Sequence, residues 1–220
     1  MSTGERFVDA SFEPAVCGFL HGGARRAGLV LTHGAGGNAQ GGLLLALGEC
    51  FSAAEFAVLR AELPFRQLRP HGPPRPRDGA LDRAGLKNAV AMIRKLTSGP
   101  VFLGGQSYGG RQASMLLAEE SVADGLLLLS YPLHAPSHPD RLRTDHLPSI
   151  QVPTLFVHGT RDPFGSIQEL EKAQKLIPAR TSLMIVEGAG HDLGFKGKAK
   201  RAELPEMVLS RFREFFAVTP

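Results

Sequence analysis

Cysteine is scarce in this chain, and so is any long apolar stretch. Two cysteines among 220 residues, Cys17 and Cys50, cannot build a disulfide framework. No Cys/His spacing matches a zinc site. Both thiols sit in apolar surroundings and are expected to be buried. No run approaches the length of a membrane span, so no membrane association is expected. Met1 to Asp9 lacks a basic region followed by an apolar one, so no secretory signal is read and a cytoplasmic location is expected. An excess of one charge is missing too. The 25 basic and 21 acidic residues leave a formal +4, with the basic ones scattered outside one loop, and no nucleic-acid partner is expected. No internal repeat divides the chain, and no linker does either.

What is present is ordinary globular composition, 43% hydrophobic and 21% charged. The length fits a single domain over residues 1–220 with a substantial core. Apolar runs at Ala15 to Leu20 and Gly28 to Thr32 flank His21 to Arg26, which reads as a hairpin turn. A helix is expected over Gly42 to Ala54 and a strand over Phe56 to Ala61. Pro64 to Arg77, rich in proline and arginine, reads as a solvated surface loop. Leu86, Ala89, Val90, Ile93 and Leu96 repeat at helical spacing, and Gly99-Pro100 ends that helix.

Further strands are expected at Val101 to Leu103, Gly125 to Ser130, Thr154 to Val157 and Leu183 to Val186. Ser166 and Glu169 form a capping box for a helix reaching Leu176, and a last helix spans Pro205 to Phe216. Such alternation implies an α/β fold with a mostly parallel central sheet and helices on both faces. Pro132 to Ser149 is too short for a large lid domain. Glycine clusters fall where four strands end, and ligands bind at the carboxyl ends of parallel strands.

One of those ends is Val101 to Leu103 followed by Gly104-Gly105-Gln106-Ser107-Tyr108-Gly109-Gly110-Arg111, with a helix-forming segment after it. G-x-S-x-G at a strand-to-helix turn lifts a serine oxygen above the sheet, and the glycines leave room for the strained backbone. A serine needs a base to become a nucleophile. Asp162 and His191 follow the next strand ends, in the order Ser, Asp, His that this architecture uses. The backbone amides of Tyr108 and Ala35 are the candidate oxyanion donors. The loop carrying Ala35 lacks the Gly-Lys-Ser/Thr ending of a nucleotide-binding loop.

Gly105 to Arg111, Ser130-Tyr131-Pro132-Leu133-His134 and Phe156 to Asp162 resemble the α/β-hydrolase superfamily. Within it they are similar to a compact subgroup of small bacterial, dienelactone-hydrolase-related proteins. Its animal relatives include a testis-expressed protein and a histone-acetyltransferase-complex subunit. The resemblance implies Ser107 as nucleophile, His191 as base and Asp162 as acid. With the Ala35 and Tyr108 amides, their joint placement leads to the expectation of a serine hydrolase acting on a small ester or related acyl compound through an acyl-enzyme, with no metal or organic cofactor. True dienelactone hydrolases carry a cysteine nucleophile where this chain has serine.

Arg111, a cation in a helix's first turn, opposes the macrodipole and calls for a carboxylate partner. Asp78, Asp82 and a substrate carboxylate are the candidates. Tyr131 either lines the substrate pocket or packs. His134, His138 and His146 are read as solvent-facing. A shallow site favouring short acyl groups is expected. Two other readings stay open: a non-catalytic interaction scaffold on the same fold, and a small peptide or acyl-peptide hydrolase.

Overall fold

Strands that are apolar at every position need cover on both faces, and this chain has several. The structure, a computed structural model, describes residues 4–23, 25–195 and 201–218. Among them run β1 (Glu5–Asp9), β2 (Val16–His21), β3 (Ala27–Thr32), β4 (Phe56–Ala61), β5 (Val101–Gln106), β6 (Gly125–Leu129), β7 (Thr154–Gly159) and β8 (Thr181–Val186). They form one sheet in the order β1-β2-β4-β3-β5-β6-β7-β8. From β4 through β8 neighbouring strands are parallel, while β1 and β2 run antiparallel at one edge.

Side chains alternate between two cores, as the period of a strand requires. Leu29 and Leu31 of β3, Phe102 of β5 and Leu127 of β6 point to one face. There α1 (Gly42–Ala53) and α6 (Leu204–Phe216) cover them. Phe212 of α6 meets Phe51, Phe56 and Phe102 edge-on at ring separations of 5.0, 5.8 and 4.8 Å. Val30, Leu103, Leu128 and Phe156 point to the other face, under α3 (Asp78–Arg94), α4 (Tyr108–Glu119) and α5 (Ile167–Ala173). The Ser166–Glu169 capping box opens α5 as expected.

Three expectations are corrected. β2 and β3 do not form a hairpin: β4 lies between them, with Gly18 opposite Ala61 and Leu29 opposite Val58. β3 is buried throughout and satisfies both edges with parallel partners, which a hairpin to β2 would have denied it. Ala24 of the expected turn, like Met1 to Thr3, lies outside the described residues. The Pro64–Arg77 segment begins with a short helix, α2 (Pro64–Leu68), where proline at the first turn is favourable. Cys17 is only half-buried, whereas Cys50 is buried. Among the described residues no helix is long and apolar enough to cross a membrane.

Candidate active site

At the carboxyl end of β5 the backbone turns sharply into α4. Ser107 takes φ 52° and ψ −118°, a conformation unfavourable for any residue with a Cβ. Its N–H donates to the Leu129 carbonyl and its own carbonyl accepts from Arg111, both at 2.9 Å, so the turn is held from both sides. The glycines are required by contact. A Cβ on Gly105 would stand 2.5 Å from the Gly110 nitrogen, and one on Gly109 would stand 2.4 Å from the His33 carbonyl oxygen.

The loops after β7 and β8 bring two more groups to that corner. His191 Nε2 lies 2.8 Å from Ser107 Oγ, and His191 Nδ1 lies 2.8 Å from Asp162 Oδ2. With Nδ1–H donated to the carboxylate, Nε2 is the acceptor for the serine hydroxyl. The Asp162 side chain is fully buried and also accepts from the Phe164 amide at 2.9 Å. The Phe164 ring stacks on the imidazole at 4.1 Å, fixing its plane. The two loops pack closely: Arg161 N–H donates to the Ala189 carbonyl at 2.9 Å.

The amides expected to face a developing oxyanion have their peptide planes fixed. In a trans peptide the C=O and N–H point in opposite directions. The Gly34 carbonyl, in the same plane as the Ala35 N–H, accepts from His33 Nδ1 at 2.9 Å and from Gly37 N–H at 3.1 Å. The Ser107 carbonyl, in plane with the Tyr108 N–H, is bonded to Arg111. Tyr108 is also the first residue of α4, where N–H groups have no intrahelical acceptor. Gly34 lies against Ser107, since a Cβ there would be 3.9 Å from the serine Oγ.

A buried polar scaffold surrounds these groups, and most of it was not legible as functional. Arg66, expected on a solvated loop, is buried. It donates to the carbonyls of Ala35 (2.8 Å), Gly37 (2.9 Å) and Gly72 (3.0 Å). His33 Nε2 lies 2.9 Å from Glu62 and 3.2 Å from the Leu63 amide; the neutral ring accepts from Leu63, the protonated ring donates to Glu62. Asp82 accepts from Tyr108 Oη at 2.7 Å and from the Phe65 amide at 2.9 Å. Burial pushes the Asp82 carboxyl above the usual carboxylate range, and burial followed by the Asp82 bond pushes the Tyr108 phenol up. His158 is fully buried beside the acid, its Nε2 2.8 Å from the Gly165 carbonyl and 3.6 Å from Asp162. Burial lowers its pKa, which favours the neutral ring.

Other expected residues sit differently. Tyr131 is 1% exposed, donates its hydroxyl to the Arg143 carbonyl at 2.6 Å, and so packs rather than lining a pocket. Asp78 binds Arg69, and Asp82 is occupied by Tyr108 and Phe65, so neither is the partner of Arg111. His134 is buried and His146 bonds Ser114 at 2.8 Å; only His138 of the three is exposed. Among the described residues no group of three or more His, Cys, Asp or Glu is placed to hold a metal ion.

Known proteins share this architecture. A serine hydrolase homologue from Coxiella burnetii superimposes with a TM-score of 0.73 at 16% identity, over 96% of this chain and 98% of that one. A dienelactone hydrolase from Anabaena variabilis gives 0.72 at 21% identity, over 97% and 99%. A serine hydrolase without lid from Xanthomonas campestris gives 0.75 at 14% identity, over 100% and 99%. At these identities the likeness is one of fold. The alpha/beta hydrolase domain family matches residues 25–215, nearly the whole length, and the chain belongs to that family.

Proposed function

We propose that this protein is a serine hydrolase that cleaves small esters through an acyl-enzyme. The observation carrying this reading is the unbroken hydrogen-bond chain from Asp162 through His191 to Ser107. His191 Nε2 takes the Ser107 proton as Oγ attacks the ester carbonyl. The oxyanion forms against the Ala35 and Tyr108 amides, each worth ~2.7–4 kcal/mol in such a role. His191 then gives its proton to the departing alkoxide, and Asp162 stabilises the transient imidazolium without itself being protonated. Water, deprotonated by the same nitrogen, releases the acid and restores the serine. Phe164 on one face of the imidazole limits its rotation between the two proton transfers.

Short acyl groups fit best. The segment after β6, Tyr131 to Ile150, holds only a 3-10 turn at Leu147–Ser149 and builds no cap over the site. The names of the Coxiella and Xanthomonas proteins, serine hydrolases with no lid in the second, accord with this reading. A fluorophosphonate probe tests it. The wild-type protein is expected to be labelled at Ser107, and Ser107→Ala to stay unlabelled. Equal labelling of the two proteins, or none of the wild type, would overturn the assignment.

A further inference from the structure

Arginines in this fold generally meet an oxygen. Arg83 pairs with Glu119, Arg94 with Asp124 and Arg211 with Glu214, while Arg66 is surrounded by carbonyls. Arg111 differs. Its Nε is buried and, among the described residues, has no hydrogen-bond partner. Its main-chain N–H is bonded to the Ser107 carbonyl at 2.9 Å, so its side chain leaves the helix one turn from the serine.

The surroundings raise the positive potential there. The N-terminal end of α4 already carries partial positive charge. Arg143 stands near enough for the two guanidiniums to repel, and burial with Arg111 lowers the Arg143 pKa. Arg143 is itself fixed, donating from Nη1 to the Pro132 carbonyl at 3.2 Å and from its amide to Leu133 at 2.7 Å. Of the remaining neighbours, only Asp145 carries an opposing charge. His146 is pushed down to about 4 by burial and then by Arg111, so it is neutral. Tyr131 is pushed up to about 12 by burial and keeps its proton. Asp145, the acid that acts on this cluster, is exposed and forms no ion pair with either arginine among the described residues. An unpartnered guanidinium and a second one held by the Pro132 carbonyl, beside a neutral histidine and a neutral phenol, suit an anion.

We propose that Arg111 and Arg143 receive a carboxylate carried by the substrate, so that the preferred esters are half-esters of short dicarboxylic acids. This rests on the hydrolase reading of Ser107. A guanidinium fork matches a carboxylate in plane and takes it with two parallel hydrogen bonds. Side chains one turn apart have Cβ atoms about 5–6 Å from each other, which restricts the anion to a short distance from the scissile carbonyl.

The test compares phenyl hydrogen adipate with phenyl hexanoate, which have acyl chains of equal length. Wild type is expected to favour the half-ester in kcat/KM, mainly through KM. Arg111→Gln is expected to reduce that preference about ten- to hundred-fold, and Arg143→Gln to reduce it in the same direction. Arg111→Lys keeps the charge without the fork and falls between. Arg211→Gln removes the same charge from an exposed position on α6 and leaves the preference unchanged. Thermal melts establish that each variant is folded. Calorimetry of adipate on Ser107→Ala reads the anion site without turnover, and adding Arg111→Gln is expected to weaken binding about tenfold or more. The inference is overturned if wild type turns over phenyl hexanoate with no preference for the half-ester, or if Arg111→Gln leaves preference and binding unaltered; the hydrolase reading then survives. If neither ester is cleaved while adipate binds in an Arg111-dependent way, the anion site stands and the hydrolase reading fails.

Discussion

Gly109→Ala isolates the contact between the two segments that carry the proposed oxyanion amides. Gly109 is in the first turn of α4, next to Tyr108, while His33 leads into the loop with Ala35. An added Cβ would stand 2.4 Å from the His33 oxygen and 2.7 Å from Thr32 Cγ2. Ordinary contact begins at 3.4 Å, so the segments must part by about 1 Å. Displacements of that size typically cost ~100-fold in rate, and a donor lost outright costs ~100- to 1000-fold. A kcat reduced by about two orders of magnitude is therefore expected with p-nitrophenyl butyrate, together with slower fluorophosphonate labelling. Stability separates this from simple unfolding. Alanine is better than glycine in a helix by roughly 0.5–1 kcal/mol, whereas overpacking costs ~1–3 kcal/mol. A modest loss in urea melts is expected, far too small to unfold the protein. Gly36→Ala is the control, because nothing lies within 4 Å of its added Cβ and its rate is expected within about twofold of wild type. If folded Gly109→Ala retains kcat within about threefold, the two segments do not jointly hold the reacting oxygen.

Asp162→Asn should lower kcat by about 10⁴-fold, because a carboxamide no longer fixes the Nδ1–H tautomer of His191. A loss below tenfold in steady-state kinetics would remove Asp162 from the proton relay. His146 makes stability depend on acid. Its folded pKa, about 4, lies below the ordinary value of 6.5, so the unfolded chain takes the proton first. Stability is therefore complete above pH 6.5 and falls as the pH drops towards 4, by up to about 3 kcal/mol at 1.36 kcal/mol per unit. Urea melts across that range should show the slope reduced in His146→Gln; an unchanged slope refutes the assignment.

The candidate site was legible as a cluster because its parts lie at strand ends marked by glycine. Val101 to Leu103, Thr154 to Val157 and Leu183 to Val186 are each followed by a candidate site residue, and the order along the chain matches the order of the strands in the sheet. The antiparallel edge was hidden for the opposite reason. β1 is largely exposed, so its residues carry little apolar pattern, and the five residues between β2 and β3 suit a hairpin as well as a longer crossing. Arg66 was misread because its partners are backbone carbonyls of other loops, which leave no mark on its neighbours in sequence. Asp82 was noticed, but paired with the wrong residue. Spacing along α3 gives its face, not whether it meets Tyr108 or Arg111 across the packing of α3 on α4.

The positive φ of Ser107 bears on whether this chain works as an enzyme at all. A residue held in that region is destabilised by ~1–3 kcal/mol, and glycine alone escapes the penalty. Ser107→Gly is therefore the substitution by which the fold would gain stability at the expense of its hydroxyl. Ser107→Ala keeps the Cβ and gains nothing from it. A binding platform would not need the hydroxyl and would lose nothing by that exchange, whereas a serine hydrolase would lose its nucleophile. Ser107→Gly therefore separates the two readings: it should stabilise the fold and abolish fluorophosphonate labelling together.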